Sequence, residues 1–191
     1  MEISENPVDS HVKENIYISN RKRRSWYLST KGGYGFGNLS AHDKSAVSTD
    51  KDKSRSGFTA NYEAGIKIRS NLLLGAFTGG FAYEQHEDDF TITRSIIRFG
   101  LAATYFPEDK NYFARAGLEF GQYGYNLEDV HADELLEEYN RKGVGGHIGV
   151  GYAVWIKNNI NVTLSGEIIG YTFGSDSQSI RTQFSLGLMW Y

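Results

Sequence analysis

The chain has 191 residues, a net charge of −3 and no cysteine, which suggests one or two domains and excludes disulfides and thiolate metal sites. No basic stripe dominates the sequence, so binding to nucleic acid has no support. There are 22 glycines and 27 aromatic residues (13 Tyr, 11 Phe and 3 Trp) but only two prolines, and this composition favours a β protein.

The first segment, residues 1–24, is predicted to be a polar tail that precedes a barrel domain at residues 25–191. It ends in the basic run at residues 21–24, which is either part of a mobile terminus or an anchor at lipid headgroups. Whether the tail adds a further strand stays open. No secretory signal follows Met1, and we expect that a signal peptide was replaced by a starting methionine.

From Ser25 onward, apolar and polar residues alternate with a period of two, the pattern of strands with two unlike faces. In residues 58–69, six apolar residues alternate with six polar or small ones without a break. In the third run, Leu73, Phe77, Phe81 and Tyr83 share the phase that we assign to the apolar outer face. Eight strands are predicted, at residues 25–37, 58–69, 72–84, 91–106, 112–125, 143–157, 160–173 and 181–191.

The connections between these strands alternate in length. Short turns are predicted at residues 70–71, 107–111 and 158–159, and longer loops at 38–56, 85–90, 126–142 and 174–180. Within the third long loop, residues 132–142 could form a short helix. Short turns on one side and long loops on the other are typical of outer-membrane barrels, with the turns in the periplasm and the loops outside the cell.

The apolar face is predicted to meet lipid and the polar face to fill the interior of the barrel. Aromatic residues near strand ends would form the interfacial girdles, namely Trp26, Tyr83, Tyr105, Tyr112 and Trp190. A soluble, lipocalin-like barrel with an apolar lumen remains an alternative. The predicted lumen charges, which must pair with one another or with trapped water, are Glu63, Lys67, Arg69, Arg94, Arg98, Arg115, Glu119, His147, Lys157, Glu167 and Arg181.

In this set the basic groups outnumber the acidic ones. We expect arginine and lysine to pair with Glu63, Glu119 and Glu167, and the excess to lie near the barrel mouths or to attract an anion. Four aromatic residues in the lumen phase gather toward the outer mouth, where they form either a plug or a shallow pocket for a small amphipathic ligand: Tyr123, Tyr125, Tyr171 and Phe173.

The chain ends in an amphipathic strand with an aromatic terminus, Phe184–Tyr191, which resembles the assembly signal of bacterial outer-membrane barrels. Together with the strand number and the loop asymmetry, it makes residues 25–191 similar to the small eight-stranded barrels of the outer-membrane protein X, protein A and protein W groups. Such strands usually end in Phe, whereas here the stronger phase ends at Trp190. Either a terminal residue is missing or the strand carries a bulge.

The predicted protein is an all-β, up-and-down, antiparallel transmembrane barrel of the bacterial outer membrane, monomeric, with no cofactor or metal and no enzymatic activity. Its predicted role is structural or in surface interaction. The expected partners are outer-membrane lipid, the barrel assembly machinery through the last strand, and a surface or host partner through the long loops. One alternative is a small channel or binding protein for small hydrophobic molecules, as resemblance to the protein W group would imply. Another is a lipid A-modifying enzyme.

Overall fold

A computed structural model describes residues 25–40, 55–86, 90–107, 110–129, 134–157, 159–173 and 178–191. The division into a tail at residues 1–24 and a barrel remains a prediction, because the tail lies outside these ranges. The strands are β1 (Trp26–Ser40), β2 (Arg55–Arg69), β3 (Leu72–His86), β4 (Phe90–Tyr105), β5 (Tyr112–Asp129), β6 (Glu134–Lys157), β7 (Ile160–Thr172) and β8 (Gln178–Trp190).

The eight strands form one closed antiparallel barrel in which each strand pairs with its neighbours in the chain and β8 pairs with β1. The predicted fold class, an up-and-down antiparallel β-barrel, is confirmed. Closure leaves no unpaired sheet edge among the described strands, which is the condition for a sheet to lie in lipid. No helix within the described ranges is long and apolar enough to cross a membrane.

The short turns lie where the alternation stops, at residues 70–71 and around residue 159. Two of them adjoin register shifts, one in β2 between Lys67 and Arg69 and one in β6 between Trp155 and Lys157. We call this end of the barrel the short-turn end and the opposite end the long-loop end. The shift in β2 takes Arg69 out of the inward phase, so that its side chain is exposed.

The loop predicted at residues 126–142 is too long, and the helix predicted within it is wrong. Strand β5 continues to Asp129 and β6 begins at Glu134, with Asn126 opposite Glu138. In the sequence, the alternation of Tyr123 and Tyr125 with smaller residues continues to Leu127, two residues past the predicted strand end. Because backbone pairing continues with it, the apolar residues that suggested a helix belong to a long hairpin instead.

The outer surface carries a continuous belt of exposed apolar side chains, with Leu118 at 78% and Phe58 at 75% of full exposure. In water such a continuous belt would be an aggregation site, whereas in a bilayer it is the face that dissolves in lipid. Aromatic rings border the belt at both ends. Trp26 and Trp190 make an edge contact of 6.1 Å at the short-turn end, and Tyr34 contacts Phe58 at 5.4 Å at the long-loop end.

The predicted outward phase of β3 is wrong. Leu73, Phe77, Phe81 and Tyr83 are all buried in the lumen, while Leu74 on the opposite face is exposed. The sequence misleads here because both faces of β3 carry apolar residues, and the bulkier set was assigned to lipid. The narrow lumen takes the aromatic rings as packing for its charged side chains, which also removes Tyr83 from the predicted girdle.

The last strand pairs with β7 and with β1 without a register shift. Trp190 therefore faces outward in the lipid phase, and the bulge that the sequence left open is not present in β8. Tyr191 turns inward and is 1% exposed. Its ring stacks on Trp155 at 5.6 Å and contacts Tyr27 at 6.4 Å, so Tyr191 helps to close the short-turn end of the lumen.

Candidate functional site: the barrel lumen

The lumen has three layers along the barrel axis. An apolar cluster at the short-turn end contains Tyr27, Leu73, Phe106, Phe113, Ala153, Met189 and Tyr191. A second cluster toward the long-loop end contains Ile92, Ile96, Tyr123, Tyr125, Ile169, Tyr171 and Phe173. Between them lies a layer of charged side chains, which we call the central network: Lys31, Glu63, Arg98, Arg115, Glu119, His147 and Glu167.

Glu119 on β5 is bound by three hydrogen-bond donors. Arg98 Nη1 lies 3.2 Å from Glu119 Oε2, Tyr171 donates its hydroxyl to the same oxygen over 2.6 Å, and His147 Nδ1 is 3.1 Å from Oε1. All four side chains are buried. A buried carboxylate is tolerated only when it is paired and its lone pairs are filled, and Glu119 meets both conditions.

His147 is held between a cation and an anion. Arg115 donates from Nε to His147 Nε2 over 3.1 Å, so Nε2 acts as the acceptor and carries no hydrogen. The ring is therefore neutral and donates from Nδ1 to Glu119, since the bond made by one ring nitrogen fixes the state of the other. Both ring nitrogens are occupied, and this histidine acts as a connector between Arg115 and Glu119.

Glu63 and Glu167 complete the network. Glu63 accepts from Arg115 Nη1 on one oxygen and from the Tyr27 hydroxyl on the other. Glu167 accepts from Lys31 Nζ over 3.3 Å and from Gln183 over 2.9 Å. Glu167 also lies 3.7 Å from Arg115 Nε and 3.9 Å from an Arg98 nitrogen. The network has side chains from β1, β2 and β4–β7, and Gln183 of β8 binds to it, so it ties the barrel wall together across its interior.

Phe77 provides the missing contact from β3. Its ring centroid lies 5.3 Å from Arg98 Cζ and 5.6 Å from Arg115 Cζ, and His147 meets the ring edge-on at 5.2 Å. A ring face attracts guanidinium groups electrostatically. Phe77 therefore stabilises both guanidinium groups by cation–π contact.

Glycines give this network its space. A Cβ on Gly117 would lie 2.4 Å from His147 Cε1 and 2.7 Å from the Leu101 carbonyl oxygen, and one on Gly75 would lie 2.3 Å from the Tyr27 hydroxyl. Both glycines lie in the inward phase of their strands, next to large side chains of neighbouring strands. At the centre of the described lumen lies a cavity of about 10 Å³, lined in part by Ser29, Lys31 and Glu63.

The sequence predicted eleven lumen charges, and the structure buries eight of them. Buried in the lumen are Glu63, Arg94, Arg98, Arg115, Glu119, His147, Glu167 and Arg181. Lys67 is half-buried and Arg69 is exposed, both next to the register shift at the short-turn end. The side chain of Lys157 lies outside the described residues.

The residues that the sequence prediction missed in the lumen include Lys31, Asn61 and Tyr27. Lys31 is 6% exposed and bound to Glu167, although it shares the polar phase of β1 with Ser29, which could have identified it. Asn61 accepts both Nε and Nη2 of Arg98, over 3.0 and 2.6 Å. Tyr27 was missed because an aromatic residue in the inward phase gives no signal of a charged partner.

Two arginines lie nearer the long-loop end than the central network. Arg94 stands over the rings of Tyr125 and Tyr83, with Cζ at 5.4 and 5.9 Å from their centroids. Arg181 stands over Phe81 at 4.7 Å.

The four aromatic residues predicted at this mouth, Tyr123, Tyr125, Tyr171 and Phe173, are 2–5% exposed and packed together. Whether they bind a ligand stays a prediction.

No protein-family model matches the chain, and no curated protein matches it. Among solved structures, it is similar to Neisserial surface protein A, with 15% identity over 87% of this chain and 97% of that one, at a TM-score of 0.58. The attachment invasion locus protein of Yersinia pestis gives 11% identity, 87% and 100% coverage and a TM-score of 0.59. The chain has the fold of small outer-membrane barrels. A major outer membrane protein from Thermus thermophilus gives 12% identity, 87% and 99% coverage and a TM-score of 0.53.

These likenesses confirm the predicted resemblance at the level of the fold. The fold and the exposed apolar belt agree with the predicted location in the bacterial outer membrane. A soluble carrier of the lipocalin kind is not supported, because the lumen holds a charge network and the apolar side chains of the belt face outward. Within the described ranges, no group of three or more His, Asp or Glu residues is placed to hold a metal ion.

Proposed function

We propose that this chain is a monomeric outer-membrane barrel with a structural or surface-interaction role, and that its lumen does not conduct. The observation that carries the proposal is the central network, in which Arg98, Arg115 and Lys31 bind three glutamates across the full width of the barrel. An eight-stranded barrel has an interior just wide enough for side chains to fill. The central cavity of about 10 Å³ has room for roughly one water molecule.

Passage of small hydrophobic molecules has less support. It needs a continuous apolar lumen or a lateral gap between strands, and in the described strands every neighbouring pair is joined by a ladder of at least eleven paired residues. Lipid A chemistry has less support as well. A histidine acting on lipid must face the lipid, whereas His147 is 3% exposed and bound on both ring nitrogens.

The proposed partners follow from the two surfaces of the barrel. The apolar belt binds outer-membrane lipid, and the outward-facing Trp190 on β8 presents the last strand to the assembly machinery. A surface or host partner would bind the long loops, most of whose residues lie outside the described ranges. The Yersinia protein of this fold was crystallised with a heparin analogue, which supports testing the loop at residues 41–54, where three lysines lie.

Planar-bilayer recordings test the closed lumen. We expect the folded wild-type protein to give no ion current above the empty bilayer, because apolar clusters fill the lumen on both sides of the central network. A steady current through the folded wild-type protein would overturn the proposal. A gel-shift on heating, with recovery from the membrane fraction, verifies that the protein is a folded, lipid-embedded barrel.

Exchange of residues 41–54 for a short Gly-Ser turn tests the surface role. The barrel should still fold and show its shift on heating, since every strand pair is retained. Binding of intact cells to immobilised heparin should fall if this loop is the contact. Equal binding by both proteins, at equal surface amounts, would contradict a role for this loop.

A further inference from the structure

Arg181 is a buried cation without an acceptor in the described part of the chain. It is 2% exposed, and its Nε, Nη1 and Nη2 have no hydrogen-bond partner there. A guanidinium group carries five N–H donors and does not lose its charge in proteins. Burial of such a group without a counter-charge is strongly unfavourable, so a partner for Arg181 is missing.

The carboxylates of the central network are already used. Glu119 and Glu167 interact electrostatically with Arg181. However, the carboxylate of Glu119 is already bound by Arg98, His147 and Tyr171. Glu167 is likewise bound by Lys31 and Gln183. Neither carboxylate makes a hydrogen bond to Arg181, and Arg98 adds a like charge nearby.

The charge balance of the described lumen points the same way. Five buried cations, which are Lys31, Arg94, Arg98, Arg115 and Arg181, face three buried carboxylates, while His147 is neutral. Two positive charges are left over, and the central network accounts for neither Arg94 nor Arg181. Water can satisfy their N–H groups but cannot neutralise their charge.

The two uncompensated arginines stand on neighbouring rings. Arg181 Cζ lies 4.7 Å from the Phe81 centroid, Arg94 Cζ lies 5.9 Å from the Tyr83 centroid, and the two rings are 6.1 Å apart. Arg94 is 8% exposed, and its Nε also lacks a hydrogen-bond partner among the described residues. The rings hold both guanidinium groups by cation–π contact, and on Arg181 all three nitrogens stay without a hydrogen-bond partner among the described residues.

We propose that the long-loop half of the lumen binds a small free oxyanion, of the carboxylate or phosphate class, on Arg181 with Arg94 as a second cation. The planar fork of a guanidinium matches two oxygens of such an anion. The anion supplies the acceptors and the charge that Arg181 lacks. Since the described wall of the barrel is closed on all sides, the ligand is a free anion that enters through the long-loop mouth.

The test uses the ¹⁵N-labelled full chain, folded in a detergent without phosphate. The Nε–Hε resonances of its arginines are followed by NMR during titration with sodium phosphate, and separately with sodium acetate, at constant sodium concentration. We expect a saturable shift of the Arg181 resonance with at least one of these anions. The Arg98 and Arg115 resonances, held by Asn61 and His147, should move little. No saturable shift with either anion, or an equal shift of Arg98, would overturn the proposal.

Melting of the same barrels supplies a second measurement. The melting temperature of the wild type should rise with phosphate or acetate, because a ligand that binds only the folded state stabilises it. Arg181→Met keeps the length of the side chain and removes the charge, so it should lose this rise and melt higher than the wild type without anion. Arg69→Met, at an exposed site, should behave as the wild type does. An equal anion-dependent rise in Arg181→Met would contradict the site.

Discussion

Arg98 and Glu119 form a diagonal ion pair across β4 and β5, with Arg98 Nη1 3.2 Å from Glu119 Oε2. On the ladder between these strands, Arg98 stands opposite Gly121 and Glu119 opposite Gly100. The absence of a side chain on both partners lets the two long side chains lean toward each other. The pair is thus built from two charges and two glycines.

Glu119→Gln is expected to destabilise the folded barrel by about 3–5 kcal/mol, the cost of removing one partner from a buried ion pair. Arg98 loses the nearer of its two counter-charges, and Tyr171 and His147 keep only a neutral hydrogen-bond acceptor, which is weaker. Urea unfolding of the barrel in lipid vesicles measures the change. Glu128→Gln, at an exposed position on the same strand, is the matched control and should change little. A loss of similar size in both variants would contradict the assignment.

Gly117→Ala is expected to cost about 1–3 kcal/mol, as overpacking of a filled interior does. The added Cβ would lie 2.4 Å from His147 Cε1 and 2.7 Å from a backbone oxygen, so the histidine and the strand must both move. Gly32→Ala is the control, because a Cβ there meets nothing within 4 Å. Equal unfolding free energies for the two variants would show that the lumen is looser at His147 than the structure describes.

The fold could be predicted from the sequence because apolar and polar residues alternate in eight runs and the connections between the runs alternate in length. The outward set on β1, with Trp26 and Leu28, and the inward Glu63 are as predicted. On β3, alternation could not choose a face, because Phe77 and Leu74 are both apolar and only the central network explains why the ring lies inside. Lys31 shows a different limit: its phase was readable, but its partner Glu167 is 136 residues away and only barrel closure brings them together.

Leu118→Arg tests the lipid-facing belt. Leu118 is 78% exposed on the outer surface, so in water an arginine there would be harmless. At the middle of a bilayer the same substitution costs about 2–4 kcal/mol, and near the interface about 0–1 kcal/mol. Ile180→Arg, at an exposed position near the long-loop end of β8, is therefore the control. Unfolding from vesicles should show a larger loss of stability for Leu118→Arg than for Ile180→Arg. Equal losses would show that Leu118 does not lie near the middle of the bilayer.

Tyr191→Ala should loosen the short-turn end of the lumen. Tyr191 is 1% exposed, stacks on Trp155 at 5.6 Å and places its hydroxyl 2.8 Å from Met189 Sδ. Truncating a buried aromatic residue typically costs about 3–5 kcal/mol, and a red shift of the Trp155 emission should accompany the loss as water enters. Tyr191→Phe keeps the stacked ring and should retain most of the stability. If Tyr191→Phe were as unstable as Tyr191→Ala, the hydroxyl contact rather than the ring would hold the C-terminus in the lumen.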